Sequence, residues 1–214
     1  MPLQLPSTHK RVREVAFALL LADSRPVSPD ELALTFGGSE IATILDALAA
    51  SGSIDRADDG RVTGSEGLSL SDGPHRLTIG ERPFRTWCAY DALGIPVALR
   101  ASAHVETACA ECGKTIAIPI NEGKPQRTGP ERLWLAAGGD DPRKSFCTPT
   151  VLLCGPDHGA AWGVKHNGDG ELLALDDASE QGASDWASAA DTARRLGIDV
   201  SSTSTVRVTV SENS

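Results

Sequence analysis

The sequence predicts an α+β protein: a winged-helix-like amino-terminal module packed on a mixed β-sheet core with flanking helices. Three observations carry this. Apolar residues recur at helical spacing in three stretches before residue 52, and a short alternating hairpin follows. Beyond Gly73-Pro74 the pattern changes to period-two segments separated by turn residues. A last amphipathic helical stretch follows those segments.

Residues 8–22 place Val12, Val15, Ala16, Leu19 and Leu20 on one helical face, and Ser24-Arg25-Pro26 ends that helix. Ser28-Pro29-Asp30-Glu31 opens a second: serine as N-cap, proline where its missing N–H costs nothing, and acids facing the helix dipole. It carries Leu32 and Leu34 and stops at Gly37-Gly38. Ser39 is placed to cap a third helix through Ile41, Ile44, Leu45 and Leu48, closed near Gly52. Residues 54–62 read as a hairpin turning at Asp59-Gly60. Three helices and a β-wing over residues 7–70 make the winged-helix pattern, and the Gly73-Pro74 joint divides the chain into residues 1–73 and residues 74–214.

In the second part, residues 76–79 read as a strand and residues 84–93 as one or two helical turns ended by Gly94 and Pro96. Residues 103–108 and 115–120 alternate as strands do, with residues 109–114 as the turn between them. Residues 133–136 and 150–153 are short apolar strands, and Asp140-Asp141-Pro142 opens the segment leading to Cys147. Residues 158–165 read as a helix, 172–175 as a last core strand and 184–196 as the final helix. A Ser/Thr-rich tail follows, expected to fray, in which residues 206–210 have the pattern of an added edge strand.

At 214 residues, 40% hydrophobic and 23% charged, the chain can bury a sizeable core and has an ordinary globular balance. A net charge of −9 argues against a role dominated by phosphate contacts. The candidate reading helix supplies Glu40 and Asp46 but no Lys, Arg, Asn or Gln, the residues that contact bases and phosphates. The winged helix therefore reads as a packing or lid module, and nucleic acid is not an expected partner. No apolar run is long enough for a bilayer, and the amino terminus lacks a signal pattern, so a cytoplasmic location without membrane partners is expected.

Five cysteines fall between Cys88 and Cys154, an odd, clustered set that fits reduced thiols better than a disulfide framework. Met1 is the only methionine, which argues against a Met-rich copper site. Cys109-x-x-Cys112, in a turn ending at Gly113, is half of a zinc knuckle. Its other half is not spelled out: Cys147 and Cys154 are separated by six residues, and His104 or His158 would have to substitute. The plain alternative for Cys109 is a buried cysteine at a strand end. Cys154, after Val151-Leu152-Leu153, reads as core, His9 and His75 as exposed, and His104 as a satisfied core residue.

Cys88 and Cys147 differ from the rest. Each follows an aromatic residue, Trp87 or Phe146, with Arg82 and Arg85 before the first and Arg143 and Lys144 before the second. Nearby cations lower a thiol pKa. Asp91, three residues after Cys88, shares its face if the segment is helical. Two thiols and a carboxylic acid suit a soft metal whose bond to carbon is broken with proton delivery. A Cys–His nucleophile is the competing chemistry, and two buried cysteines beside a surface aspartate the bland one.

The residues Arg82-x-x-x-x-Trp87-Cys88-Ala89-x-Asp91-x-Leu93 with Pro96, the strand and cysteine at Val105 to Cys109, and Arg143-x-Ser145-Phe146-Cys147 resemble the alkylmercury (organomercurial) lyases. The match covers residues 76–165, and such lyases also carry a helical amino-terminal module. The combination of Trp-Cys-Ala-x-Asp with Ser-Phe-Cys is specific, whereas either half alone is weak. The resemblance implies that residues 74–214 are the catalytic domain, with Cys88 and Cys147 as mercury-binding thiolates and Asp91 as proton donor at the same metal. It implies no organic cofactor, an organomercurial substrate, low-molecular-weight thiols to remove Hg(II), and mercuric reductase as acceptor. Cys109 matches a family cysteine of structural character. Thr148 departs from members that carry a further cysteine there, and Cys112 and Cys154 are additional thiols, so a structural zinc at Cys109 and Cys112 stays open. A winged-helix metal-sensing or zinc-binding transcriptional regulator is the alternative from another class. A relative that binds Hg(II) without turnover is a third reading.

Overall fold

Ser7–Asp23 forms α1, and its apolar face disappears into the core with Val12, Ala16, Phe17 and Leu20 almost fully buried. The computed structural model describes residues 7–37, 40–126, 129–198 and 200. Within α1 the carboxylate of Glu14 is also buried, and it accepts hydrogen bonds from Ser188 (2.6 Å) and Thr192 (3.1 Å) far along the chain. A buried carboxylate left without such partners would cost several kcal/mol, on the order of the burial penalty for an ion. α2 (Pro29–Phe36) begins with the anticipated capping box: Ser28 Oγ accepts from Glu31 N at 3.2 Å, and Ser28 N donates to Glu31 Oε2 at 2.8 Å. α3 (Ile41–Ala50) buries Ile41, Ile44, Leu45 and Leu48 as its spacing requires. Glu40 stands at its N-cap without a side-chain bond, and Ser39 lies outside the described residues. So does the edge strand expected at residues 206–210.

The strands that follow are β1 (Ile54–Arg56), β2 (Val62–Ser65), β3 (Leu68–Ser69), β4 (His75–Ile79), β5 (Arg82–Thr86), β6 (Ala103–Ala108), β7 (Thr115–Asn121) and β8 (Lys124–Pro125). They form one sheet in the order β1-β2-β3-β5-β4-β6-β7-β8. A second sheet has β9 (Arg132–Ala136) between β10 (Val151–Leu153) and β11 (Gly170–Ala174). Every ladder between these strands is antiparallel, which corrects the expected mixed sheet. The connections explain it. β4–β5 and β6–β7 are joined by short turns, whereas a parallel pair needs a crossover of about a dozen residues or more. β3 bonds to β5, Leu68 opposite Thr86, so the sheet runs continuously past Gly73.

Two helical readings also change. Residues 84–93 split into the end of β5 and the start of α4 (Ala89–Ala98), because Phe84 pairs with Leu77 across a hairpin. Gly94 and Pro96 lie inside α4 and do not end it. A Cβ on Gly94 would meet Trp186 at 2.6 Å and the Cα of Gly182 at 2.9 Å, so its bare backbone is what lets a neighbouring helix lie against α4. That neighbour is α6 (Leu175–Asp185), which the sequence pattern did not reveal; α5 (Pro156–Lys165) and α7 (Ala187–Arg195) complete the helices. Nearly all of α4 is buried, so it has no polar face for periodicity to report.

Strand phase corrects two histidines. His75 faces inward with Leu77 and Ile79, its Nδ1 2.9 Å from Thr107 Oγ1, and burial holds its pKa down to about 4. His104 lies on the outward phase of β6, opposite in direction to Val105 and Thr107, and is exposed. His9 is half-buried.

Candidate active site

Between β5 and α4 the chain must turn from strand to helix, and Cys88 makes the turn as N-cap in an extended conformation. Its thiol takes the place usually held by a serine hydroxyl. Cys88 Sγ accepts the Asp91 N–H, and Asp91 Oδ2 accepts the Cys88 N–H at 2.7 Å. This reciprocal cap fixes carboxylate and sulfur side by side at a helix amino terminus. Both are inside the protein, Cys88 at 0% and Asp91 at 4% exposure. Gly67 makes room for the carboxylate: its φ is +85°, and a Cβ there would lie 2.5 Å from Asp91 Cγ.

Cys147 arrives from a different element. Pro142–Cys147 winds as a π-helix whose start is capped by Asp141, accepting from Lys144 N at 3.3 Å. Such single π turns are uncommon and concentrate at functional sites. Cys147 is partly exposed, and its thiol lies close enough to Cys88 to bear on that thiol's ionisation. The strand after it is fastened to the same place, because Ala89 N donates to Thr150 O at 3.3 Å. Phe146 meets Tyr90 edge-on at 6.2 Å, and Tyr90 meets Trp186 at 5.2 Å, giving the pair of thiols an aromatic wall. Tyr90 is itself held by a 2.6 Å hydrogen bond to Asp185.

One carboxylate on β1 ties the two thiol-bearing segments together. Asp55 accepts from Trp87 Nε1 at 2.7 Å, next to Cys88, and from Arg143 at 2.8 Å, four residues before Cys147. Arg143 also donates to Gly52 O at 2.8 Å and stacks over the Trp87 ring, 3.2 Å from its centre. The sequence marked Arg143 as a cation near a thiol and as the first residue of the Arg143-x-Ser145-Phe146-Cys147 motif, and nothing in it pointed to Asp55 or Gly67. These partners are 32, 88 and 24 positions from the residues they serve, counting Asp55 to Trp87, Asp55 to Arg143 and Gly67 to Asp91. No local pattern reports such pairings.

Burial dominates the electrostatics. It pushes the Asp91 carboxyl up to about 7, against the hydrogen bonds from the Cys88 N–H and thiol and the charge of Arg143, which pull it down. Burial also raises the Cys88 thiol well above its usual range, helped by the neighbouring Cys147 thiol and the charge of Asp91. The expected depression of Cys88 by nearby cations is therefore absent. Arg82 is occupied by the Leu21 carbonyl at 2.9 Å, and Arg143 by Asp55 and Gly52. The resting arrangement is thus a neutral thiol bonded to a carboxylate that takes up a proton near neutral pH.

Two converging thiols and one carboxyl of raised pKa on an antiparallel α+β frame are the equipment of an enzyme that handles a soft metal and moves a proton. The comparisons give that class a family. The family model described as alkylmercury lyase matches residues 68–188. Alkylmercury lyases of Bacillus cereus and Pseudomonas putida are 27% identical over 169 residues and 29% identical over 164 residues. The first alignment covers 76% of this chain and 75% of the relative, the second 74% and 75%. A solved structure described as the mercury-bound form of MerB2 matches with a TM-score of 0.78 at 21% identity, over 87% of this chain and 93% of that one, a likeness of fold. The chain belongs to the alkylmercury lyase family, enzymes that cleave carbon–mercury bonds. That sets aside the regulator reading. No helix among the described residues is long and apolar enough to cross a membrane.

Proposed function

We propose that the protein cleaves organomercurials by protonolysis, with Cys88 and Cys147 as the mercury ligands and Asp91 as the general acid. The observation that carries the reading is the reciprocal hydrogen bonding of Cys88 and Asp91 within reach of Cys147. Cys147, the partly exposed thiol, takes R–Hg first, its proton leaving with the displaced ligand. Thiolate sulfur is the preferred donor for so soft a cation. Cys88 then adds as second sulfur and passes its proton to the adjacent Asp91 carboxylate. Two sulfurs on mercury push electron density toward carbon. Asp91 protonates that carbon, the Hg–C electron pair becomes the new C–H bond, and Asp91 returns to carboxylate. Hg(II) remains on two thiolates until exogenous thiols remove it and return protons to Cys88 and Cys147.

No organic cofactor enters this scheme. Low-molecular-weight thiols are the agents of release, mercuric reductase the acceptor of the ion, and a cytoplasm that keeps thiols reduced the setting. We read residues 1–73 as a winged-helix-like module serving residues 74–214, because its Asp55 and Gly52 hold Trp87 and Arg143. The test is hydrocarbon release from an organomercurial in excess thiol by wild type, Cys88→Ala and Cys147→Ala. Turnover by wild type and its loss in both folded variants is expected. Absence of turnover in folded, reduced wild type would overturn the reading.

A further inference from the structure

A second thiol cluster stands apart from the mercury-binding pair. Cys109 and Cys112 lie in the tight turn after β6, closed by Gly113 at φ +73° with Gly113 N donating to Cys109 O at 2.8 Å. The missing half of the zinc knuckle comes from elsewhere in the chain. Cys154 leaves the end of β10, and His158 lies in the first turn of α5. One ligand atom from each of Cys109, Cys112, Cys154 and His158 lies within 4.8 Å of all the others. Cys154 is therefore a half-buried member of this group, where the sequence placed it in the core.

The distances have the size of a coordination tetrahedron. With Zn–S near 2.3 Å and Zn–N near 2.05 Å, tetrahedral edges come to about 3.8 Å for S···S and about 3.5 Å for S···N. The Cys112 and Cys154 sulfurs are 3.7 Å apart, and Cys109 Sγ is 3.3 Å from His158 Nδ1. Cys109 Sγ also accepts the Cys154 N–H at 3.4 Å, an outer-shell hydrogen bond of the kind that orients a metal ligand. Lys165 on α5 donates to Glu111 Oε2 at 2.8 Å, which clamps the helix carrying His158 to the turn carrying Cys112.

We propose that Cys109, Cys112, Cys154 and His158 form a closed Cys3His site for a divalent zinc-like ion, structural in role and separate from the mercury chemistry. Four protein ligands leave no open position for substrate. Binding displaces the thiol protons and costs no oxidant or reductant. The site would pin the end of β10, the strand that begins four residues after the π-helix carrying Cys147. It depends on no step of the lyase reading.

The test is metal analysis of protein purified under reducing conditions, for wild type, Cys112→Ser, His158→Ala and the double variant Cys88→Ser/Cys147→Ser. One equivalent of zinc is expected in wild type and in the double variant, and a marked loss in the other two. Cobalt(II) added to chelator-stripped protein should give tetrahedral ligand-field bands and a thiolate charge-transfer band, again in the double variant as well. Chelation should lower the thermal midpoint by several degrees. Reduced, folded wild type that retains no zinc and gives no cobalt bands overturns the site. So does a Cys112–Cys154 disulfide that forms with no metal uptake after reduction, or metal lost only in the Cys88→Ser/Cys147→Ser protein. Hydrocarbon release by wild type is scored separately, so either reading can fail alone.

Discussion

Asp91→Asn should make the protein more stable and less active at once, and the stability gain should depend on pH. Asp91 is buried and its carboxyl is raised from the ordinary carboxylate range to about 7, burial being the largest cause. The folded protein therefore holds this proton more tightly than the unfolded chain, whose carboxyl titrates near 4. Stability from this group is complete below about pH 4 and is lost as pH rises through about 7. A raise of roughly three units at about 1.36 kcal/mol each bounds the loss near 4 kcal/mol, and relaxation on ionisation makes about 2–4 kcal/mol the reasonable range. Asparagine has the same shape, still accepts the Cys88 N–H and never ionises. Urea unfolding of both reduced proteins between pH 5 and 8.5 checks this. The difference between them should be smallest at the acid end and should widen by about 1–3 kcal/mol towards the alkaline end, the part of the shift that titrates between pH 5 and 8.5. Taking the difference cancels groups common to both proteins. A gap that does not change with pH, or a variant that loses stability relative to wild type as pH rises, would refute the assignment of a buried, raised carboxyl.

Gly67→Ala should cost at least about 2 kcal/mol, because it adds a methyl group at a left-handed backbone position and pushes on Asp91. Hydrocarbon release should fall with it, and an unchanged rate and stability would contradict the packing described. Asp55→Ala should lower stability by about 2–3 kcal/mol and slow turnover, since it leaves Trp87 and Arg143 without their shared acceptor. Chemical denaturation and the hydrocarbon assay read both effects. Arg143→Lys should fail to rescue, because an ammonium cannot stack on Trp87 while reaching both Asp55 and Gly52. A wild-type rate in Arg143→Lys would show that charge alone suffices there.

Local chemistry made some of this protein readable from its sequence. Ser28-Pro29-Asp30-Glu31 carries its helix start in four adjacent residues, and the capping box forms as written. The alternation of residues 103–108 and 115–120 survives because one face of that hairpin is buried and the other is not. α4 and α6 were harder for opposite reasons. α4 is buried on nearly all sides and shows no polar stripe, while α6 is built from Asp, Ser, Glu and Gly and held by a glycine-to-glycine contact with α4. The phase of β4 and β6 decided which histidine was buried, and a one-residue difference in phase reverses the answer. Spacing suggested Cys88 with Asp91, and Cys147 joined them through its like setting, an aromatic residue before it and basic residues nearby, and then through family resemblance. Thiols brought together by folding, such as Cys112 with Cys154, leave no local pattern to read.

Removing the proton donor should leave the carbon–mercury bond intact on the protein's thiols. Wild type and Asp91→Asn, both reduced, are mixed with one equivalent of an organomercurial, then examined for released hydrocarbon and for the mass carried by the protein. Wild type should release hydrocarbon and be left carrying Hg(II) alone. Asp91→Asn should release little hydrocarbon and carry the intact R–Hg group on its thiols. Hydrocarbon release by Asp91→Asn at the wild-type rate would contradict the assignment of Asp91 as the acid that breaks the bond.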